Sequence, residues 1–153
     1  MERSQVVSLV FGAMVLGGCA GSPAEVIAIA NEGFLIRHAR RTVVVDALFR
    51  ATTPYPEFFS QAPSENLVLR MVTGGEPFGR VDLALVTHAD GDHFHAATAF
   101  EFLEHHPETL MVGTMDVMEA LAAIEGFDAI AERVIAPART PGSCEQIEHR
   151  GIK

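Results

Sequence analysis

The segment Thr87–His95, Thr-His-Ala-Asp-Gly-Asp-His-Phe-His, constrains this chain more than any other stretch. His88, Asp90, Asp92, His93 and His95 place five candidate metal ligands within eight residues. Val81–Thr87 (VDLALVT) ahead of them has the composition of a buried strand. Ala96–His106 behind them has the pattern of a helix with Phe100 and Leu103 on one face. A loop leaving a strand end is held rigidly at its root, which converging ligands require. The two-residue spacing lets His88 and Asp90 converge where the backbone is extended. Gly91 permits a sharp turn, after which Asp92 and His93 face a second point. Imidazole and carboxylate together suit zinc, iron or manganese. A solvated polar loop with Asp90 and Asp92 as caps accounts for one or two such residues, and less well for five packed against a strand end.

The remaining pattern predicts an α/β fold. Glu25–Asn31, Gly33–His38 and Thr42–Asp46 are short apolar runs rich in β-branched residues, separated by Asn31-Glu32-Gly33 and Ala39-Arg40-Arg41. They predict a three-stranded meander with tight turns. Thr52–Pro63, with three prolines, Tyr55, Phe58 and Phe59, predicts a packed loop. Ser64–Val72 has a capping residue, an early acid and helical apolar spacing, and Gly74-Gly75 stops it. Leu110–Gly113 predicts a short buried strand, Thr114 a cap for a helix through Glu125, and Arg133–Ala136 a further strand. Strands and helices alternate after the meander, so parallel pairing is expected there. His95 is expected to cap or polarise the start of the helix that follows it. His105-His106-Pro107 reads as a helix stop with polar, solvent-facing histidines suited to the helix dipole.

Thr87–His93 with its preceding strand resembles the first metal motif of the metallo-β-lactamase superfamily, His-x-His-x-Asp-His. Upstream, NEGFLIRHARRTVVVDALF is similar to the opening meander of that superfamily, especially its lactonase-like, broad-specificity hydrolase branch, where the meander ends on an Asp matched by Asp46. The resemblance implies the first half of a four-layer αβ/βα sandwich, covering residues 25–153. It implies a divalent metal pair, with His88 and Asp90 on one metal and Asp92 and His93 on the other. Asp92 would also serve the catalytic water, and Asp46 would be a buried structural residue orienting the ligand loop. The implied activity is metal-dependent hydrolysis of an ester, lactone, amide or phosphodiester, with a small molecule as substrate.

Two departures from the motif have chemical consequences. Asp90 stands where the motif has a second histidine, and a harder, anionic ligand shifts preference from zinc toward iron or manganese. The superfamily also completes its site with a later His, a bridging Asp and a final His. After His93 this chain offers His95, His105, His106 and His149, the last reading as the approach to a strand. The later ligands, and with them the second half of the domain, are therefore expected to be missing. Two protein ligands per metal make a weak half-site. A sheet without its facing layer exposes an apolar face and invites self-association. A non-catalytic remnant or interaction module of the same fold is thus the alternative to a hydrolase. A third and weaker reading is a small metal-binding domain built from the His-rich loop alone.

The N-terminus carries a separate signal. Val6–Gly17 is an apolar run too short to span a bilayer as a helix, but of signal-peptide length. Its continuation, Leu16-Gly17-Gly18-Cys19, resembles the bacterial lipoprotein box. The resemblance implies a signal peptide over 1–18, lipidation of Cys19, a linker over 19–24 and anchoring in the bacterial cell envelope, facing the periplasm or exterior. Arg3 is the only cation ahead of the run and Glu2 offsets it. Cys144 reads as a small buried or loop thiol. With 11 Lys plus Arg against 20 Asp plus Glu and a net charge of −9, the chain is not expected to bind nucleic acid, which needs clustered cations. Replacing Cys19 with Ser should leave the protein uncleaved and unlipidated; normal acyl labelling of that variant would refute the anchor.

Overall fold

The computed structural model describes residues 8–9, 23–50, 62–137 and 146–153. The expected loop over 52–63 falls mostly outside them. So do Cys19, Cys144 and all of the expected signal peptide except Ser8–Leu9.

Among the described residues the architecture is α/β: one sheet of seven strands in sequence order, with three α-helices. The strands are β1 (Ser8–Leu9), β2 (Glu25–Ile29), β3 (Gly33–His38), β4 (Arg41–Val45), β5 (Leu83–Leu85), β6 (Leu110–Val112) and β7 (Val134–Ile135). β1 through β4 pair antiparallel, and β4 through β7 pair parallel. The change of direction at β4 follows from the connections. A two-residue turn at Ala39-Arg40 can only reverse the chain, whereas the crossovers after β4, β5 and β6 are long enough to return it in parallel. Hydrogen bonding from β5 outlasts its three-residue core, since Asp82 N–H donates to Thr42 O and Val86 N–H to Val112 O. Those extensions account for the longer strand expected over Val81–Thr87.

Register places one side-chain row across six strands: Ile27, Leu35, Val44, Ala84, Met111 and Val134 are successive cross-strand partners. All six are buried and form the sheet side of the core. Each large aliphatic side chain in such a row contributes about 1.5–3 kcal/mol by leaving water. Gly33 lets the meander pack closely, because a Cβ there would meet Ile29 O at 2.6 Å and Ala47 Cα at 3.0 Å.

The helices α1 (Glu65–Thr73), α2 (Ala96–His105) and α3 (Met115–Ala122) supply the other side of the core through Val68, Met71, Val72, Ala99, Phe102, Leu103, Val117 and Leu121. The ends of α1 follow the sequence signals. Ser64 Oγ accepts from Leu67 N–H, and Gly74 takes a left-handed conformation at φ 74° with its N–H on Arg70 O. α3 stops at Ala122, short of the expected Glu125. Ile124 N–H bonds Leu121 O, three residues back, and the chain tightens into the short 3-10 turns Phe127–Ala129 and Ala131–Arg133. The C-terminal end of α2 is closed from a distance by Arg133. Its guanidinium donates to Leu103 O, His106 O and Thr109 O at 2.8, 3.1 and 3.3 Å. Among the described residues no helix is long and apolar enough to cross a membrane.

The opposite face of the sheet is more open. Its row, Phe34, Val45, Leu85, Val112 and Ile135, is partly or largely solvent-accessible, with Phe34 at 42%. A tight turn at His149–Ile152 lies over part of it, and with Val43, Leu83, Leu85 and Val112 lines an apolar hollow.

Charged groups at the other end of the β4–β5 pair are paired. The Asp82 side chain is buried, and its Oδ2 accepts Thr42 N–H at 3.0 Å while Oδ1 accepts from Arg41 and Arg80, each at 3.1 Å. Burial alone would raise its pKa. The Thr42 N–H and the two guanidinium groups outweigh it and hold the carboxyl below the usual carboxylate range.

The structure corrects the expectation for one histidine. His106 is buried at 7% exposure, not solvent-facing. Its ring stacks on Phe102 with centroids 4.2 Å apart, and Nε2 lies 3.0 Å from Met71 O. Burial disfavours the cation and pushes its pKa below the ordinary value of 6.5. The unfolded chain therefore binds the proton more readily than the folded one, so stability must fall as pH drops through 6.5 toward the depressed folded value. The melting temperature should decline between pH 8 and pH 5.5, and His106→Gln should flatten that decline whatever its own packing cost. Parallel pH profiles for the two proteins would refute the assignment.

Candidate metal site

The carboxyl ends of the parallel strands β4 and β5 lie side by side, and the residues that leave them build the site. Asp46 follows β4 directly in the left-handed region at φ 47°, a conformation that Asp tolerates better than most residues. Its N–H donates to Leu85 O, so the residue is held against β5 by its own backbone. Its buried carboxylate then takes two bonds from Thr87. Oδ1 accepts the Thr87 N–H at 2.8 Å, and Oδ2 accepts the Thr87 hydroxyl at 2.9 Å.

The ligand loop is shaped by its backbone. Asp90 O accepts both His93 N–H and Phe94 N–H at 2.9 Å, closing the turn that Gly91 allows. Phe94 is buried and bridges Leu48 in parallel, and His95 N–H donates to Leu48 O at 2.7 Å. The loop is thereby anchored at its far end as well as its root. His95 caps α2, its Nδ1 facing Thr98 N–H at 3.3 Å and Thr98 Oγ1 at 2.9 Å, in line with the expectation from sequence. A third tie runs to α3, where Asp116 Oδ2 accepts Ala89 N–H at 3.3 Å. The Thr114 hydroxyl holds the Asp116 carboxyl below the usual carboxylate range, helped by backbone N–H groups that include that of Ala89.

Within this frame His88, Asp92 and His93 each offer a ligand atom, and the three atoms lie within 4.8 Å of one another. The His88 and His93 rings are 3.9 Å apart, and His93 Nε2 is 3.8 Å from Asp92 Oδ2. Asp92 is buried, and its Oδ1 has no hydrogen-bond partner among the described residues. A buried carboxylate oxygen without a donor is costly unless a cation completes it. Among the described residues His93 Nδ1 makes no aligned hydrogen bond, but it lies 3.3 Å from Asp46 Oδ2, close enough for the carboxylate to influence the ring. The donor set, one carboxylate and two imidazoles, fits a divalent transition metal.

Asp90 stands apart from that group of three. Its side chain is 66% exposed, with Oδ2 3.5 Å from His88 Nε2. The part Asp90 plays in shaping the loop is carried by its carbonyl. Asp46 is buried and bonded to Thr87 at the root of the loop. Sequence reasoning gave no separate role to Thr87, which touches both Asp46 and His88. No signal short of its position before the first histidine could have shown it.

Comparison with known proteins adds little to this geometry. No family model matches the chain, and no curated protein does. Nine solved chains match. One is a crystal structure from Parabacteroides distasonis ATCC 8503, named as a presumed metal-dependent hydrolase, 15% identical with a TM-score of 0.39. The match covers 66% of this chain and 36% of that one, so this chain spans about a third of its length. A likeness that slight carries no argument about the site.

The Asp46 clamp makes a prediction of its own. Asp46→Ala loses two bonds to a buried carboxylate and leaves the Thr87 N–H unpaired, and should cost about 3 kcal/mol in urea unfolding. Asp46→Asn keeps an acceptor and tolerates the left-handed backbone, and should cost about 1 kcal/mol. Equal unfolding midpoints for both variants and the unsubstituted protein would show that the clamp is not stabilising.

Proposed function

We propose that this chain is a metal-dependent hydrolase domain, related to the metallo-β-lactamase superfamily, that binds a divalent metal through His88, Asp92 and His93. The observation that carries this reading is the convergence of one ligand atom from each of the three within 4.8 Å at the carboxyl end of a parallel strand pair, with the Asp92 carboxylate buried and its Oδ1 without a hydrogen-bond partner among the described residues. When bound, such a metal supplies a Lewis acid for a carbonyl or phosphoryl group and lowers the pKa of a coordinated water. Asp92 would both ligate and orient the attacking water. Asp46 and Thr87 would hold the histidines. Asp90, 3.5 Å from His88 Nε2, would join His88 if a second metal completes a pair. Zinc fits the imidazoles, and the added carboxylates admit iron or manganese. Esters, lactones, amides and phosphodiesters are the substrate classes consistent with this chemistry.

Three converging protein ligands among the described residues, two of them adjacent in sequence, predict modest affinity. The open face of the sheet suits a second sheet layer, and we propose that such a layer completes both the core and the ligand set. It would come from further chain or, through self-association, from a second copy. The exposed Phe34 row also favours the alternative reading, a non-catalytic interaction module of the same fold, lipid-anchored at Cys19 in the cell envelope.

Cobalt(II) titration followed by visible absorption, with zinc competition, tests the proposal. The unsubstituted protein should show ligand-field bands of a His/carboxylate site. His88→Ala, Asp92→Asn and His93→Ala should each weaken binding by about tenfold or more. Asp90→Asn should do less than any of them. Absence of saturable binding by the unsubstituted protein would overturn the metal reading and leave the interaction module.

A further inference from the structure

We propose that Thr87 is a positioning residue that fixes the His88 ring in its Nδ1–H tautomer and so turns the Nε2 lone pair toward the metal. The inference rests on the metal reading above for its purpose, but not for its geometry. Asp46 Oδ2 lies 2.9 Å from Thr87 Oγ1, and an ionised carboxylate can only accept, so the Thr87 hydroxyl proton is committed to Asp46. The same oxygen lies 2.8 Å from His88 Nδ1. With its proton already given away, Thr87 Oγ1 can only accept in that second contact, and Nδ1 must therefore be the protonated nitrogen. Nε2 is left as the free donor atom on the side of Asp90, which it approaches at 3.5 Å. The chain Asp46–Thr87–His88 does through a hydroxyl what a carboxylate commonly does directly for a metal-bound histidine. Asp46 Oδ2 also lies 3.3 Å from His93 Nδ1, though without an aligned hydrogen bond. One carboxylate oxygen thus stands near both imidazoles, beside the His93 ring directly and reaching the His88 ring through Thr87.

The arrangement is held from several sides. The Thr87 N–H is fixed on Asp46 Oδ1 at 2.8 Å, so the Thr87 backbone cannot turn away. The residue before it is tied to the sheet as well, because Val86 N–H pairs with Val112 O. Since that backbone bond does not depend on the side chain, Thr87→Val should keep the fold while removing only the hydroxyl.

The test is the ring nitrogen spectrum of His88 in the metal-free protein, assigned by its loss in His88→Asn. Long-range proton–nitrogen correlations distinguish Nδ1–H from Nε2–H directly. The unsubstituted protein and Thr87→Ser should show the Nδ1–H pattern, and Thr87→Val should lose it. Cobalt(II) affinity should fall about 10- to 100-fold in Thr87→Val and be restored in Thr87→Ser. An Nε2–H pattern in the unsubstituted protein would overturn the proposal without any variant being needed. An unchanged tautomer and affinity in a folded Thr87→Val would also overturn it. A correct tautomer with no cobalt binding would instead uphold the Thr87 role and refute the metal reading.

Discussion

Two buried carboxylates bracket the β4–β5 pair, and the rest of the structure depends on that bracket. Asp82, just ahead of β5, grips the Thr42 N–H in β4. Asp46, just past β4, grips the Thr87 N–H at the other end of β5. Each strand thus carries at one end the acid that binds its neighbour, and a slip of one residue would leave both acids buried without donors. Register at this pair decides which side chains meet the helices, because alternate residues point to opposite faces. It also decides where the two strand ends lie relative to each other, and the candidate metal site is built on that offset.

The two brackets are made differently, in a way that matches their surroundings. Asp82 is balanced by two arginines and is electrically closed. No cation contacts Asp46 among the described residues. Its partners are a backbone N–H, a hydroxyl and a histidine ring. The negative charge at the carboxyl end of the sheet therefore remains available to a bound cation, together with the buried carboxylate of Asp92. Electrostatics and backbone geometry thus point to the same end of the sheet as the candidate metal site.

Much of this was legible in the sequence, for identifiable reasons. Runs such as TVVVD and GFLIRH are short and β-branched, and a strand is the conformation in which they pack well. Ser64 and Gly74 are local signals read from a few residues, and both ends of α1 follow them. The ligand loop was legible because its residues are contiguous. What could not be read depends on distant partners. His106 looks like a surface residue beside Pro107 until Phe102 and Met71 close over it, and Met71 lies 35 positions away. The role of the Thr87 hydroxyl needs Asp46, 41 positions upstream, to occupy its proton. The convergence of His88, Asp92 and His93, with Asp90 left outside, depends on a turn whose hydrogen bonds are all made by the backbone.

The way α2 is finished bears on the order in which the protein can assemble. Its first turn is closed locally by His95, but at its far end Leu103 O and the cap carbonyl of His106 receive donors from Arg133, 27 to 30 positions downstream, which also reaches Thr109 O. A planar guanidinium reaching three carbonyls at once has no equivalent in lysine, whose single ammonium cannot span them. During synthesis the helix that carries the ligand loop must wait, its far end unsealed, until the chain has been made through β6, α3 and both 3-10 turns. The metal loop is therefore formed early in sequence but secured late. Its rigidity is a property of the completed α/β layer, and a shorter peptide containing every ligand would not inherit it.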